Sequence, residues 1–249
     1  MAATDLHTRT IIRKPTTLDA LISAMKTAFS EELGWTSKDN IISYTPDPLL
    51  YFSIEKNSST TEDENSGTSA TTDTSFYFHF CSASKDGALA EQNFKINVEF
   101  NSSATYYLNY LKSTSGKTVA FNVDSKIRGG MDWIFALDEA TPARGAWLTT
   151  VGTSSSGSEY IYMFNGQGIG GRGTCYSCEV QIADQACVSL SRCPNVWNGV
   201  LFQELYIIVS APLNHTILQN STFYINGKYF KAINNSDGYG GGPFAIIIT

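Results

Sequence analysis

Charged side chains are scarce in this chain. Asp, Glu, Lys and Arg make up 16% of its 249 residues, whereas they make up about 25% of an average soluble domain. The 17 Lys and Arg are outnumbered by 23 Asp and Glu, so the formal net charge is −6. Binding to a phosphate backbone needs a basic surface, and the composition therefore argues against nucleic acid as a partner. The polar surface must come mainly from Ser, Thr, Asn and Gln, which need little desolvation when they meet another protein.

Long apolar runs are also absent. The longest, at residues 205–209 and 244–248, have the length of a strand and fall far short of the ~20 residues that cross a bilayer. The opening MAATDLHTRTIIRKPTT contains Asp5 and lacks the apolar stretch of a signal peptide. We therefore expect no membrane partner, no signal peptide, and folding in the cytoplasm of the producing cell.

No catalytic signature is evident in the sequence. The histidines His7, His79 and His215 lie far apart, and no Ser or Cys stands in a nucleophile motif such as G-x-S-x-G. The run GQGIGG at residues 166–171 matches the dinucleotide fingerprint by letter, but a strand-like segment follows it where a phosphate-binding helix should begin. We expect no enzymatic activity and no cofactor, and a carboxylate hydrolase using acids such as Asp132 and Asp138 is a weaker alternative.

Four of the five cysteines lie close together in GTCYSCEVQIADQACVSLSRCP. We call Cys175, Cys178, Cys187 and Cys193 the cysteine quartet, whose spacing is C-x2-C-x8-C-x5-C. A C-x2-C pair can offer two thiolates to a tetrahedral zinc ion. The segments between the cysteines alternate like strands, and cysteines in strands are often small buried apolar residues. Zinc ligation, disulfide formation and free buried thiols therefore remain open, and Cys81, in an aromatic strand, is expected in the core.

The N-terminal region predicts an extended arm followed by one amphipathic helix. Residues 1–16 are polar, and Pro15 prevents an earlier helix start. Thr16 or Thr17 can cap a helix over residues 17–33, and Gly34 can end it. One face carries an apolar stripe at i, i+3, i+4, i+7, i+11 and i+15, formed by Leu18, Leu21, Ile22, Met25, Phe29 and Leu33. Burial of six side chains does not offset the entropy of ordering about 17 residues, so the helix must dock on a sheet or on a neighbouring subunit.

The remainder of the chain predicts short strands. Residues 94–100 alternate apolar and polar, as in a half-buried antiparallel strand. Asn226-Gly227 between two apolar runs is the strongest hairpin signal. Residues 106–111 fit a short helix or a strand equally well. Strands are predicted at 41–44, 49–55, 75–82, 93–100, 117–123, 133–138, 146–150, 160–164, 175–183, 188–191, 199–210, 221–225, 228–233 and 244–248.

Residues 56–75, KNSSTTEDENSGTSATTDTS, contain no large apolar side chain. Such a segment cannot bury enough surface to order itself, and it predicts a long, flexible exposed loop. The fold class expected is therefore mainly β with one N-terminal helix (α+β), as an antiparallel sheet or β-sandwich. The arm at 1–16 precedes a single β-rich domain at 17–249, which contains the helix and this loop.

Aromatic residues are spread over the β region. Exposed rings can stack on sugars or fill a subunit interface, and buried rings are ordinary core. The sequence does not decide between these roles for Trp133, Trp147, Trp197, Tyr106, Tyr107, Tyr110, Tyr160 and Tyr162.

Three stretches resemble virion structural proteins of tailed bacteriophages. TLDALISAMKTAFSEELGW is similar to the helix that begins several phage head–tail connection and tail proteins. WIFALDEATPARGAWLTTVG and INGKYFKAINNSDGYGGGPFAIIIT also resemble phage structural chains. The resemblance implies a non-enzymatic component of the tail, baseplate or neck, made in the host cytoplasm, located in the virion, and assembled with copies of itself and with other virion proteins. The alternative is a carbohydrate-binding module that recognises host surface glycans through exposed aromatics on a β-sandwich.

Overall fold

The structure is a computed structural model that describes residues 7–45, 50–63, 68–83, 89–125, 133–139, 144–151, 160–165, 189–195, 200–210, 222–233 and 244–248. Within these ranges the chain forms one helix and sixteen strands. In chain order they are β1 (His7–Arg13), α1 (Leu18–Leu33), β2 (Thr36–Lys38), β3 (Ile41–Ser43), β4 (Leu50–Asp63), β5 (Thr68–Ala83), β6 (Leu89–Glu99), β7 (Thr105–Lys112), β8 (Thr118–Asp124), β9 (Ile134–Glu139), β10 (Arg144–Val151), β11 (Tyr160–Asn165), β12 (Ser189–Asn195), β13 (Val200–Ser210), β14 (Thr222–Ile225), β15 (Lys228–Ile233) and β16 (Phe244–Ile247).

The strands form three antiparallel sheets. The six-stranded sheet has the order β1-β7-β8-β9-β10-β11. The N-terminal sheet has the order β2-β3-β4-β5-β6, and the C-terminal sheet has the order β12-β13-β16-β15-β14. Neighbouring strands in each sheet run antiparallel, so the predicted mainly β, antiparallel fold with one N-terminal helix is confirmed.

The helix begins and ends where its sequence predicts. The Thr17 hydroxyl accepts a hydrogen bond from the backbone N–H of Ala20 at 3.2 Å. Gly34 follows with φ 69°, and its N–H donates to the Ser30 carbonyl, which is the left-handed stop that glycine allows without steric cost. All six residues of the predicted apolar stripe are buried. The helix docks within its own chain, against the core described next.

One aromatic core joins the helix, the N-terminal sheet and the six-stranded sheet. Phe52 on β4 lies at its centre, with ring centroids 5.4 Å from Phe29 of α1 and 6.0 Å from Phe121 of β8. Trp35, which directly follows the helix, contacts both Phe29 and Phe121. Because these rings come from three separate elements, their burial fixes how the two sheets and the helix pack together.

The C-terminal sheet has its own buried residues, including Leu205, Phe230 and Ile246. It meets the six-stranded sheet at the turn between β7 and β8. There the Thr114 N–H donates to the Ile247 carbonyl at 3.3 Å, and the hydroxyls of Ser113 and Ser115 donate to the Glu204 carboxylate at 2.6 and 2.7 Å. This junction is therefore built from hydrogen bonds between polar groups.

The prediction of a flexible loop at 56–75 is wrong for most of that segment. β4 continues to Asp63 and β5 begins at Thr68, so the two strands form one long hairpin. Six residue pairs, joining 58–63 to 68–73, extend the pairing beyond a register shift after Asn57. The prediction considered only apolar burial, whereas a backbone ladder satisfies the N–H and C=O groups of polar residues, and β-branched Thr favours strands.

Two further predictions, for the N-terminal arm and for residues 106–111, are refined by the structure. Residues 7–13 of the predicted extended arm form β1, which pairs with β7 of the same chain. The ambiguous segment 106–111 is a strand within β7, and residues 108–111 are buried on both faces of the sheet. The Asn226-Gly227 hairpin is confirmed between β14 and β15. The predicted strand at 175–183 lies outside the described residues.

Candidate functional site

The N-terminal strand is held to the rest of the chain by a cluster of polar contacts. We call Arg9, Glu31, Glu32 and Tyr110 the arm latch. The Arg9 guanidinium on β1 contacts the Glu31 carboxylate at 2.5 Å and the Glu32 carboxylate at 3.1 Å. The Tyr110 hydroxyl on β7 donates to the other oxygen of Glu32. The latch therefore ties the arm, the last turn of α1 and the six-stranded sheet at one point.

The electrostatics of the arm latch follow from these contacts. The hydrogen bond from Tyr110, together with Arg9, holds the pKa of Glu32 below its ordinary value. Burial, and then the neighbouring Glu32 carboxylate, raises the pKa of Tyr110, while the hydrogen bond to Glu31 raises the pKa of Arg9. At neutral pH the latch thus consists of a cation, two carboxylates and a neutral phenol.

The sequence contains a signal for this latch that the motif and periodicity arguments above miss. Glu31 and Glu32 stand in the last turn of α1, and that turn contains no basic residue. Acidic side chains there face the negative end of the helix dipole, so they need cations from elsewhere. Arg9 supplies one, and the Lys112 ammonium donates to the Glu32 carbonyl at 2.6 Å. Two acids at a helix C-terminus are thus a sign of a distant cationic partner.

The connection between β1 and α1 is short and conformationally strained. Lys14 has φ 49°, in the left-handed region, which β-carbon sterics make costly for a residue other than glycine. It also precedes Pro15, which further restricts the preceding residue to extended conformations. Pro15 is buried, and the Lys14 N–H donates to the Ala104 carbonyl at 2.7 Å. The surrounding contacts therefore hold Lys14 in an unfavourable conformation.

A buried amide pair lies beside β1 on the next two strands of the six-stranded sheet. Asn109 on β7 and Asn122 on β8 are both buried, and the Asn109 amide donates to the Asn122 side-chain oxygen at 2.8 Å. The Thr8 hydroxyl on β1 donates to the Asn109 oxygen at 2.8 Å. Because a buried polar group is costly unless it is hydrogen-bonded, this chain of bonds favours one register of β1 on β7.

Four of the eight aromatics that the sequence left undecided are core residues, and Tyr107 is half-buried. Trp133, Trp147, Tyr106 and Tyr110 are buried, so they offer no exposed platform. Trp197 lies outside the described residues, and the side chains of Tyr160 and Tyr162 are not described.

The exposed aromatics of the described chain lie on the β14–β15 hairpin, which the sequence did not single out as a site. Tyr224 is 63% exposed and Tyr229 is 38% exposed. They are paired across the two strands with ring centroids 4.7 Å apart. Alternation on either side of the Asn226-Gly227 turn places both rings on one face, and this regularity could have identified them from sequence.

A Ser, Glu and His group lies on the N-terminal sheet without the geometry of a catalytic triad. His79 Nδ1 is 2.7 Å from a Glu55 carboxylate oxygen. The Ser53 hydroxyl donates to that same oxygen at 3.3 Å. A nucleophilic serine needs its hydroxyl bonded to the imidazole, with the acid on the far nitrogen. Here both groups contact the carboxylate, which makes the cluster a polar side-chain contact between β4 and β5.

The cysteine quartet is largely beyond what the structure describes. Cys175, Cys178 and Cys187 lie outside the described residues, as does the GQGIGG run, while Cys193 lies on β12 with its side chain not described. Among the described residues, no group of three or more His, Cys, Asp or Glu is placed to hold a metal ion. The zinc, disulfide and free-thiol alternatives therefore stay predictions.

The described part of the chain contains no helix with both the length and the apolar character needed to cross a membrane.

No protein-family model matches this sequence, and no curated protein or solved structure shows significant similarity to it.

Proposed function

We propose that this protein is a non-enzymatic structural component of a bacteriophage virion, in the tail, baseplate or neck. In this proposal it works by assembling with copies of itself and with other virion proteins. The phage identity rests on the resemblance of its opening helix and its C-terminal stretch to phage structural chains. The assembly role rests on the physical features of the β4–β5 hairpin.

The observation that carries the assembly role is the end of this hairpin, which we call the polar ribbon (residues 58–63 paired with 68–73). It runs for six residue pairs, or about 20 Å at ~3.4 Å per residue. On β5, pairing with β6 covers only residues 75–83, so the ribbon is two-stranded among the described strands. A two-stranded ribbon is marginally stable by itself in water, and its sequence lacks large apolar residues. Contact with a neighbouring subunit would stabilise it.

The composition of the ribbon supports the same role. Eight of its twelve residues are Ser or Thr, beside the three acids Glu62, Asp63 and Asp73. The outer N–H and C=O groups of such a ribbon can pair with another chain. A strand edge left open to solvent is a liability for a monomer, and it becomes an advantage when a neighbouring subunit pairs with it.

The test removes the ribbon and leaves the sheet intact. Residues 58–74 are replaced by Asn-Gly, so that Asn57 and Ser75, which pair directly and share a side-chain hydrogen bond of 3.1 Å, are joined by a two-residue turn. We expect wild-type protein to form oligomers in size-exclusion chromatography with light scattering. We expect the deletion to weaken these oligomers while the thermal midpoint of unfolding changes little.

A matched control replaces Thr60 and Thr71, which pair across the ribbon, by Val, keeping the backbone ladder. Protein that stays monomeric at millimolar concentration, or that mass spectrometry finds missing from purified particles, would contradict the proposal.

A second candidate is carbohydrate binding, and the Tyr224–Tyr229 pair is the observation that favours it. Two exposed rings on one face, with Thr222, Asn226 and Lys228 also exposed around them, offer stacking surface and hydrogen-bond donors for a sugar. Host surface glycans are the ligand class. Binding on a glycan array that is lost in Tyr224→Ala and kept in Ile41→Ala, an exposed apolar residue elsewhere, would support this role. Equal loss in both variants, or no binding to any glycan, would refute it.

A further inference from the structure

The N-terminal strand β1 has the features of a segment that can separate from the rest of the fold. Among the described strands, β1 occupies an outer position of the six-stranded sheet and pairs only with β7. Its residues are mostly exposed, with Ile11 and Ile12 partly buried against the core. Its main anchors are polar: the arm latch and the hydrogen bond from Thr8 to Asn109. Little apolar surface therefore has to be exposed when the strand leaves.

The hinge is the connection over residues 14–17 that joins β1 to α1. Its backbone is strained at Lys14. Among the residues that the structure describes, three other than glycine have positive φ, and two of them, Asp39 and Asn226, are types that tolerate this conformation in tight turns. Lys14 is not such a type, and Pro15 behind it favours an extended Lys14. Opening the connection over residues 14–17 would relieve this strain. Short strained hinges next to a detachable element are the usual setting for domain swapping.

We propose that two copies of this chain exchange their N-terminal strands. In the exchanged dimer, β1 of one copy pairs with β7 of the other in the register seen within the chain, Arg9 opposite Leu108. Arg9 then meets Glu31 and Glu32 of the other copy, and the hinge becomes extended. The contacts of β1 itself are made again between copies. The closed hinge gives up the burial of Pro15 and the hydrogen bond from the Lys14 N–H to the Ala104 carbonyl, and the gain set against this loss is the relaxed Lys14. The inference deepens the proposed assembly function, on which it rests, by naming the partner and the element that is exchanged.

The direct test is a cross-link between differently labelled chains. Thr10 and Tyr107 face each other across β1 and β7, so Thr10→Cys is made in a tagged chain and Tyr107→Cys in an untagged chain. The two are unfolded together, refolded, concentrated and oxidised. Exchange predicts a disulfide-linked heterodimer joined through the two engineered thiols, identified by peptide mass spectrometry. Wild type and each single variant, oxidised alone, control for the five native cysteines.

A second test varies the hinge strain in opposite directions. Lys14→Gly accepts the left-handed conformation without cost, so it should weaken the exchanged dimer by about tenfold per hinge. Lys14→Ile, which is β-branched, should strengthen it. Both are read from the dimer dissociation constant by analytical ultracentrifugation, with circular dichroism to verify folding.

The outcomes separate the two proposals. Oligomers without the cross-link between chains, or dissociation constants that Lys14→Gly and Lys14→Ile leave unchanged, would overturn strand exchange and leave the proposed assembly standing. A chain that is monomeric at every concentration would overturn both.

Discussion

Replacing Phe52 by Ala is the most informative perturbation of the packing between the two sheets. Phe52 is fully buried, and its ring lies 5.2 to 6.3 Å from six other aromatic rings, those of Phe29, Trp35, Phe78, Phe80, Phe121 and Trp147. Truncating a buried Phe to Ala typically costs about 3–5 kcal/mol, and more where the neighbours cannot collapse into the cavity. Rigid rings from four elements and from the residue after the helix collapse poorly, so we expect a loss of about 4–5 kcal/mol.

Urea denaturation followed by tryptophan fluorescence and by circular dichroism measures this loss. With an m-value of about 2.5 kcal/mol per molar, a loss of this size lowers the midpoint by about 1.5–2 M. Phe52→Leu keeps most of the apolar volume and should lose about half as much. Tyr224→Ala, at an exposed ring, is the control and should change the free energy of unfolding by less than about 0.5 kcal/mol.

The result that would refute the reasoning is a loss below about 2 kcal/mol for Phe52→Ala. Such a value would mean that Phe52 does not lie between the sheets. An equal loss for the Tyr224→Ala control would likewise contradict the assignment of core and surface.

Four further outcomes are expected. Glu32→Gln should lower the urea midpoint at pH 7 and lower it less at pH 3: the folded pKa of Glu32 is lowered, so its contribution is fully present above the ordinary carboxyl pKa and is lost as the pH falls through the folded value. A variant equally destabilised at both pH values would show that charge is not the cause. Asn109→Ala leaves the buried Asn122 oxygen without its donor and should cost about 1–3 kcal/mol in the same assay; a neutral effect would disprove the pairing. Gly227→Ala, at φ 79°, should cost about 1–2 kcal/mol, and an unchanged midpoint would refute that turn geometry. Metal analysis of purified protein should find less than one zinc per chain, since strand-like sequence surrounds the cysteine quartet; one tightly held zinc would contradict the expectation of no cofactor.

The parts of the fold that sequence predicts correctly are those encoded within a few residues. The helix is one: Thr17, the apolar stripe and Gly34 each act over three or four residues, so local pattern suffices. The Asn226-Gly227 hairpin is another, because positive φ at two successive residues is a property of the turn itself. Strand positions were also predicted within a few residues where apolar residues alternate.

The polar ribbon shows where local pattern fails. Its Ser and Thr residues give no apolar period, so the sequence predicts a loop. The two strands extend into the ribbon because they continue the pairing of the inner part of the hairpin. There Phe52 lies opposite Phe80, and both side chains are buried. Each added residue pair continues a ladder that is already nucleated, a cooperative effect that composition does not capture.

The arm latch could be predicted only in part. Glu31 and Glu32 at the end of α1 indicate a missing cation, but they do not say which. Arg9 lies 23 residues from Glu32, and Tyr110 lies 78 residues from it. Contacts at such separations depend on the sheet order, which places β7 beside β1, and the order follows from core packing between distant segments.

The few charged side chains of this chain therefore help to determine which elements lie against each other. Arg9 pairs with acids of α1, and Lys56 on β4 pairs with Asp19 at the other end of that helix at 2.7 Å. Partly exposed ion pairs of this kind contribute little to stability, typically about 0–1 kcal/mol, while the aromatic core supplies most of it. What they determine is which strand lies against which end of the helix. A strand from a second copy carries the same Arg9 and meets the same carboxylates, so the contacts that specify the arm within one chain specify it equally well between two.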